Sequence, residues 1–466
     1  QASMAVRDIF PHEVFYPPLF PALLAALGAG RNFALAHALC ALLLAASVPL
    51  IYRLGGCWLQ DRAAALAPAL LFCLLPGVWL NGKGILSEPL FLIVLLALLL
   101  EIAGRNRPGA VAMLFGALVL TRAIGCAMAL GYVGWALLAG GGSIGGRVRN
   151  AAPGLLGLAS YGAWLLLRPT ASSDDYSTYG SDAISQVLHA PWALAGRIVE
   201  QSAAFGDAWS ESLLIYWTQG PSATHAAALV IGAVAAVGWL LRFVRRMPDA
   251  WMVAGYCSAL LVWPFPGQML RFLLPLLPLL LLYGFDAARW LSRLARDSAL
   301  PVALLAACIA TLCAPALAFL KARADAGRSN DYAAITEWYG SADLRVASGR
   351  AQMHLDLLEL LGRIGQITTA SDRIAWFAPA YVALLGDRLA TSLPAATLSV
   401  DQYRRALADS GATCALLTPY HPRDTVHATA WRAGSVALAG NEPIFVARRD
   451  DGSIYAALWR LRDQKP

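Results

Sequence analysis

Charge is scarce in this sequence. Of its 466 residues, 14% are Asp, Glu, Lys or Arg, against roughly a quarter in soluble domains. With 58% of residues hydrophobic, the shortage excludes an ordinary soluble fold and points to a chain whose solvent is largely lipid. Paired cysteines are missing too. Cys40, Cys57, Cys73, Cys126, Cys257, Cys308 and Cys313 lie in or beside apolar runs, and Cys414 alone lies in a polar tail. Their spacing gives neither a disulfide framework nor a zinc site, so they read as small apolar packers. There is no Walker loop, dinucleotide glycine fingerprint or nucleophile elbow. Gly140-Gly141-Gly142-Ser143 lacks the lysine that a phosphate loop needs. His37, His189 and His225 have no metal-like companions. The net charge of +7 forms no continuous patch, which argues against nucleic acid as a partner.

What is present is a series of apolar runs, at about 33–52, 63–80, 86–103, 109–139, 151–167, 223–241, 250–264, 271–285 and 298–320, most of them near the 17–25 residues that span a bilayer. The linkers alternate in charge. Arg53 and Arg62, Arg105 and Arg107, Arg147 and Arg149, Arg242, Arg245 and Arg246, and Arg289, Arg293 and Arg296 mark one side, the cytoplasmic one by the positive-inside rule. Residues 81–86, 168–222 and 264–270 mark the other. The alternation holds only if 109–139 crosses twice, with Arg122 at the outer turn of a helical hairpin. That gives about ten crossings, a proline strip at 17–21 on the outer side, an interfacial helix over 17–28, and a long aromatic outer loop at 168–222. The chain opens on Gln1 with no signal-like segment, from which a missing amino-terminal segment is expected. Residues 1–321 read as a multi-spanning membrane domain and 322–466 as a small extracytoplasmic α/β domain. In the latter, 345–347, 373–377, 414–417, 444–447 and 454–458 read as strands and 401–410 as an amphipathic helix.

Several polar groups fall on the outer side. Glu88, in Ser87-Glu88-Pro89, opens an apolar helix. It is either a helix-start carboxylate favoured by the macrodipole with Ser87 as cap, or an acid held at the membrane face to position or deprotonate an acceptor. Arg271 has no acid nearby in sequence. It is either a snorkelling arginine or a guanidinium that forks onto phosphate. Arg122 lies inside an apolar hairpin, where ionisable residues default to functional candidates. Lys83 is a solvated loop lysine or a fourth member of the set. Asp8 pairs with Arg7 or takes part in catalysis.

Tyr16-Pro17-Pro18-Leu19-Phe20-Pro21, Leu86-Ser87-Glu88-Pro89-Leu90-Phe91, Leu120-Thr121-Arg122 and Arg271-Phe272-Leu273-Leu274-Pro275 occur in an order that resembles GT-C glycosyltransferases. The resemblance is to the bacterial branch related to protein O-mannosyltransferases and the lipid A aminoarabinose transferase, and it covers the whole chain. It implies a mainly α, polytopic GT-C-like domain with a small C-terminal α/β extracytoplasmic domain in the bacterial inner membrane. It also implies inverting transfer of a sugar from a polyprenyl-phosphate donor to the hydroxyl of an extracytoplasmic glycan, lipid or protein. Glu88 matches the family's second acidic position. Arg271 and Arg122, with Lys83 and Tyr16, are expected at the lipid phosphate, and Pro17 and Pro18 as a wall of the pocket. The family's principal aspartate precedes the prolines by more than this chain allows. It is therefore expected upstream of residue 1, with Asp8 the acid nearest to it here. The aminoarabinose branch has lysine where this chain has Tyr16. No cofactor is implied, and a divalent metal is left open. Two other classes remain, a transporter or flippase for lipid-linked sugars and a non-catalytic envelope assembly protein.

Overall fold

A computed structural model of the chain describes residues 17–29, 32–82, 84–167, 191–214, 222–263, 268–295, 299–328, 357, 359–376, 379–393, 399–418, 434–448, 452 and 454–461. The described residues divide into two compact units between Lys321 and Ala322, a boundary that falls within the helix Leu300–Arg328. The described part of the first unit is helical. Its helices are α1 (Leu19–Ala26), α2 (Phe33–Leu59), α3 (Arg62–Leu74), α4 (Pro76–Gly82), α5 (Glu88–Ala103), α6 (Pro108–Thr121), α7 (Gly125–Gly134, continued by a wider turn over Trp135–Ala139), α8 (Ile144–Leu167), α9 (Pro191–Leu214), α10 (Ser222–Val244), α11 (Pro248–Leu261), α12 (Met269–Leu273), α13 (Leu277–Leu294) and α14 (Leu300–Arg328).

Proline and side-chain caps set many of the boundaries. Pro108 and Pro248 open their helices, where a missing N–H costs nothing. The Asp61 carboxylate accepts from the amides of Ala63 and Ala64 at the start of α3. Asn32 does the same for Leu35 in α2.

Among the described residues three helices are long and apolar enough to cross a membrane, Ala34–Leu59, Ala223–Val244 and Leu300–Ala318. They become four if α3 and α4, bent by 52° at their junction, form one broken span. Of the other expected crossings, α5, α6, α7 and α11 are shorter, at 16, 14, 10 and 14 residues. Phe91, Leu92, Leu95, Leu96 and Leu98 of α5 are fully buried, so this helix is walled by protein more than by lipid. The run 109–139 does fold as two helices that meet at Arg122. Gly125 of α7 abuts Leu118 and Val119 of α6, and Tyr132 lies 4.9 Å from Phe115. Later residues of one helix thus face earlier residues of the other, as antiparallel packing requires.

Two expectations change. Residues 168–222 read as an outer loop, yet Pro191–Leu214 within them is a 24-residue helix. Ala208, Trp209 and Leu213 are buried, and the Trp209 indole donates to the Ala228 carbonyl at 2.7 Å. Asp207 and Glu211 made the segment look polar, but they share one helix with a buried apolar stripe. Arg242, read as one of the basic linker residues, is buried. It forks onto Asp249 with two bonds of 2.8 Å. The Tyr283 hydroxyl donates to the same carboxylate at 3.1 Å, and the Arg242 guanidinium lies 3.8 Å over the Trp58 ring. This knot ties α2, α10, α11 and α13 together. A buried ion pair holds only when its partners are this well met.

Glycines allow the closest crossings. A Cβ at Gly238 would collide with the Tyr283 carbonyl oxygen, and one at Gly255 with that of Ala127.

The second unit holds a five-stranded sheet ordered β2-β1-β3-β5-β4. Its strands are β1 (Arg373–Trp376), β2 (Leu389–Ser392), β3 (Cys414–Leu417), β4 (Glu442–Arg448) and β5 (Ile454–Arg460). β1 pairs parallel with β2 and β3, while β5 pairs antiparallel with β3 and β4. The period of two is plain in the core. Ile374, Trp376, Cys414 and Leu416 pack with Leu361, Ile364 and Val382. Ala375, Ala415 and Leu417 pack on the other face with Tyr403 and Leu407 of α16, which spans Val400–Asp409. α15 (Pro379–Gly386) brings Val382 to the first face. The reading of 454–458 as half of a hairpin, and of 401–410 as an amphipathic helix with buried Tyr403 and Leu407, matches these elements. β2, Leu389-Ala390-Thr391-Ser392, was missed, because unlike β1 and β3 it has no continuous apolar stretch. The strand expected at 345–347 lies outside the described residues. Pro443 sits in β4, an edge strand, where a missing donor is tolerated.

Replacing Gly238 by alanine should force α10 and α13 apart. A cost of about 1–3 kcal/mol is expected, read as a lower melting temperature in detergent, while Gly56→Ala, whose Cβ meets nothing within 4 Å, should not lower it. A second expectation concerns acid. Burial pushes the Asp372 carboxyl up, but the Thr369 amide and hydroxyl, the Thr413 hydroxyl and Arg460 outweigh it and hold it below the ordinary carboxylate value. A depressed folded value stabilises fully above the unfolded pKa of about 3.9, and that stability is lost as pH falls through the folded value. Asp372→Asn should therefore flatten the loss of tail-unit stability below about pH 4, followed by tryptophan fluorescence.

Candidate functional site

Three of the residues singled out from sequence meet at one carboxylate. Glu88 stands at the first position of α5 with Pro89 behind it. The run from Leu90 to Leu100 is apolar, so the helix buries itself and takes Glu88 with it. The side chain of Glu88 has no exposed surface. Ser87 does not cap the helix. Its hydroxyl instead accepts from Arg122 Nη1 at 3.2 Å.

Arg122 ends α6 in an extended conformation, φ −153° and ψ 135°, and so leaves the helix axis at the hairpin turn. Its Nη1 pairs with Glu88 Oε1, and its guanidinium carbon lies 5.0 Å from the centre of the Phe272 ring, a cation–π distance. Arg271 comes from α12, a five-residue helix that Pro275 follows. Its Nε also pairs with Glu88 Oε1, and its Nη2 lies 3.5 Å from Oε2. The Tyr256 hydroxyl donates to the Phe272 carbonyl at 2.8 Å and fixes the backbone that carries Arg271.

Two guanidinium groups on one carboxylate leave a formal charge of +1. That charge is graded by access. The Arg122 side chain is 12% exposed and that of Arg271 is 37% exposed. Arg271 is therefore the member that an incoming group reaches first. Guanidinium forks match the oxygens of phosphate and carboxylate. Among the described residues no three His, Cys, Asp or Glu side chains converge as metal ligands would.

Sequence reasoning named Glu88, Arg122 and Arg271, but it did not pair Arg271 with an acid, since Glu88 lies 183 residues away. It also missed Ser87 as a partner of Arg122, and it missed Phe272 and Tyr256. Phe272 adjoins Arg271 in sequence. Nothing in the chain marks Tyr256. Pro17 is buried and Pro18 partly so, and α1, which follows them, packs on α6, the helix that ends at Arg122. Asp8, Tyr16 and Lys83 lie outside the described residues.

This architecture, a polytopic helical domain followed by a small mixed α/β unit, is GT-C-like. It is similar to the crystal structure of the Archaeoglobus fulgidus oligosaccharyltransferase tethered to an acceptor peptide with the NVT sequon. The two share 11% identity at a TM-score of 0.51, over 97% of this chain and 67% of that one. The archaeal oligosaccharyltransferase AglB of the same organism, solved with an inhibitory peptide and a dolichol-phosphate, aligns at 12% identity and a TM-score of 0.47, over 100% of this chain and 71% of that one. No family model matches the sequence, and no curated protein matches it.

The cluster has a thermodynamic signature. Arg122→Ala or Arg271→Ala alone leaves Glu88 with one cation. The double variant strands a buried carboxylate, at a cost of about 3–5 kcal/mol. Unfolding measurements should show the double loss exceeding the sum of the singles. Additivity would show that the two arginines do not share one carboxylate.

Proposed function

We propose that this protein is an inverting GT-C-type glycosyltransferase that moves a sugar from a polyprenyl-phosphate donor to an acceptor hydroxyl on the outer face of the membrane. The observation that carries the proposal is the convergence of Arg122 and Arg271 on the buried carboxylate of Glu88, within a GT-C-like fold. On this reading the tail from residue 322 is extracytoplasmic, as is the end of the bundle that holds Glu88.

The chemistry follows from the charges. The acceptor hydroxyl oxygen attacks the anomeric carbon. The bond from that carbon to the phosphate oxygen breaks, and its electron pair goes to the lipid phosphate. The hydroxyl proton goes to a general base. A phosphate leaving group needs charge stabilisation more than a proton donor, and Arg271 with Arg122 supplies it. Glu88 is paired through Oε1 with both guanidinium groups and has no exposed surface, so an acceptor hydroxyl does not reach it. Its role is to hold the two arginines at a fixed spacing. That departs from the expectation of Glu88 as the group that takes the acceptor proton.

The test is transfer of labelled sugar from a polyprenyl-phosphate donor by protein in proteoliposomes. Arg271→Ala should lower kcat/KM by about 10²–10³, the usual effect of removing one oxyanion donor. Arg271→Lys should recover part of the loss, because it restores charge without the fork. Full activity in both Arg271→Ala and Glu88→Ala would refute the site.

A further inference from the structure

The other end of α5 carries a second basic site. A groove of about 820 Å³ opens between α2, α3 and α5, floored by Leu50, Ala97 and Leu100 and rimmed by Arg53, Arg62 and Arg105. Glu101 and Arg107 also line it, and Glu101 stands thirteen residues beyond Glu88, or about 20 Å along the helix at 1.5 Å per residue. The groove is therefore separate from the cluster at Glu88.

The acids at this end are already taken. Glu101 accepts from Arg107 Nε at 2.9 Å, Nη2 at 3.0 Å and the Arg107 amide at 3.0 Å. Asp61 caps α3 and pairs with Arg289 at 3.2 Å. Arg53, Arg62 and Arg105 are exposed, and among the described residues none has an ion-pair partner. Three arginines without an ion-pair partner thus edge an apolar floor, Arg105 close enough to Glu101 for its charge to favour that carboxylate.

We propose that this groove binds the phosphate of an anionic phospholipid. A second feature points to a lipid over a soluble phosphate. Arg62 heads a stripe on α3 in which Leu66, Leu70 and Leu74 recur at every fourth residue, 49%, 53% and 38% exposed. One face of the helix therefore offers a cation at the interface and an apolar track below it. Basic pockets between helices on the cytoplasmic side suit anionic headgroups in this way. The three arginines take the phosphate, and an acyl chain lies along the leucines.

The experiment is native mass spectrometry of the full chain in neutral detergent, titrated with phosphatidylglycerol or with phosphatidylcholine of the same acyl chains. Phosphatidylglycerol should bind preferentially. Arg53→Gln, Arg62→Gln and Arg105→Gln should each weaken it about fivefold, while the exposed basic-end variant Arg149→Gln should leave it unchanged. Gly56→Leu supplies a test that keeps every charge. A Cβ at Gly56 meets nothing within 4 Å, so the leucine fills the groove and lowers phosphatidylglycerol binding at an unchanged melting temperature. Equal binding of both lipids overturns the proposal, as does full phosphatidylglycerol binding by Gly56→Leu. Displacement of phosphatidylglycerol by millimolar inorganic phosphate would also overturn it, by making the groove a soluble-anion site. None of these readouts depends on sugar transfer.

Discussion

A carboxylate with no exposed surface must be met by cations, and Glu88 is met by two. Removing such a charge from water costs several kcal/mol unless close partners compensate. The pairing therefore constrains three separate stretches of chain at once. α5 must start where it does, the hairpin must break at Arg122, and α12 must deliver Arg271 from a distant part of the sequence. Aromatic support comes from Phe272 beneath Arg122, and Tyr256 holds the Phe272 carbonyl. The cluster thus sets the local geometry, and the neighbouring helices are cut to fit it.

The Arg242–Asp249 knot shows a different use of buried charge. There the pair is saturated by Tyr283 and covered by Trp58, and both members are almost wholly enclosed. At Glu88 one cation keeps a third of its side chain open. The contrast separates a pair that closes a bundle from one that can still receive a ligand.

Much of this was legible in the sequence for physical reasons. Lipid as solvent leaves long apolar runs, and the hairpin at 109–139 followed from the side preference of Arg105, Arg107, Arg147 and Arg149. The strands around Ile374 and Leu416 showed as short apolar stretches set between polar ones. What stayed hidden depends on contacts far apart in the chain. Neither the bond between Arg271 and Glu88 nor the approach of Gly77 to Ser212 leaves a local pattern. The helix Pro191–Leu214 was concealed by its own solvent face, whose acids masked the stripe that packs. Arg242 was concealed by its basic neighbours, since Arg245 and Arg246 read as one linker with it.

The glycine crossings carry a consequence for traffic within the bilayer. At Gly238 and Tyr283, and again where Gly131 and Gly255 let α7 and α11 touch, backbone rests on backbone. No side chain separates the two helices at those crossing points. A membrane-dissolved molecule therefore finds no passage at either crossing point. The smallest side chains in the protein thereby decide where its walls have no doors.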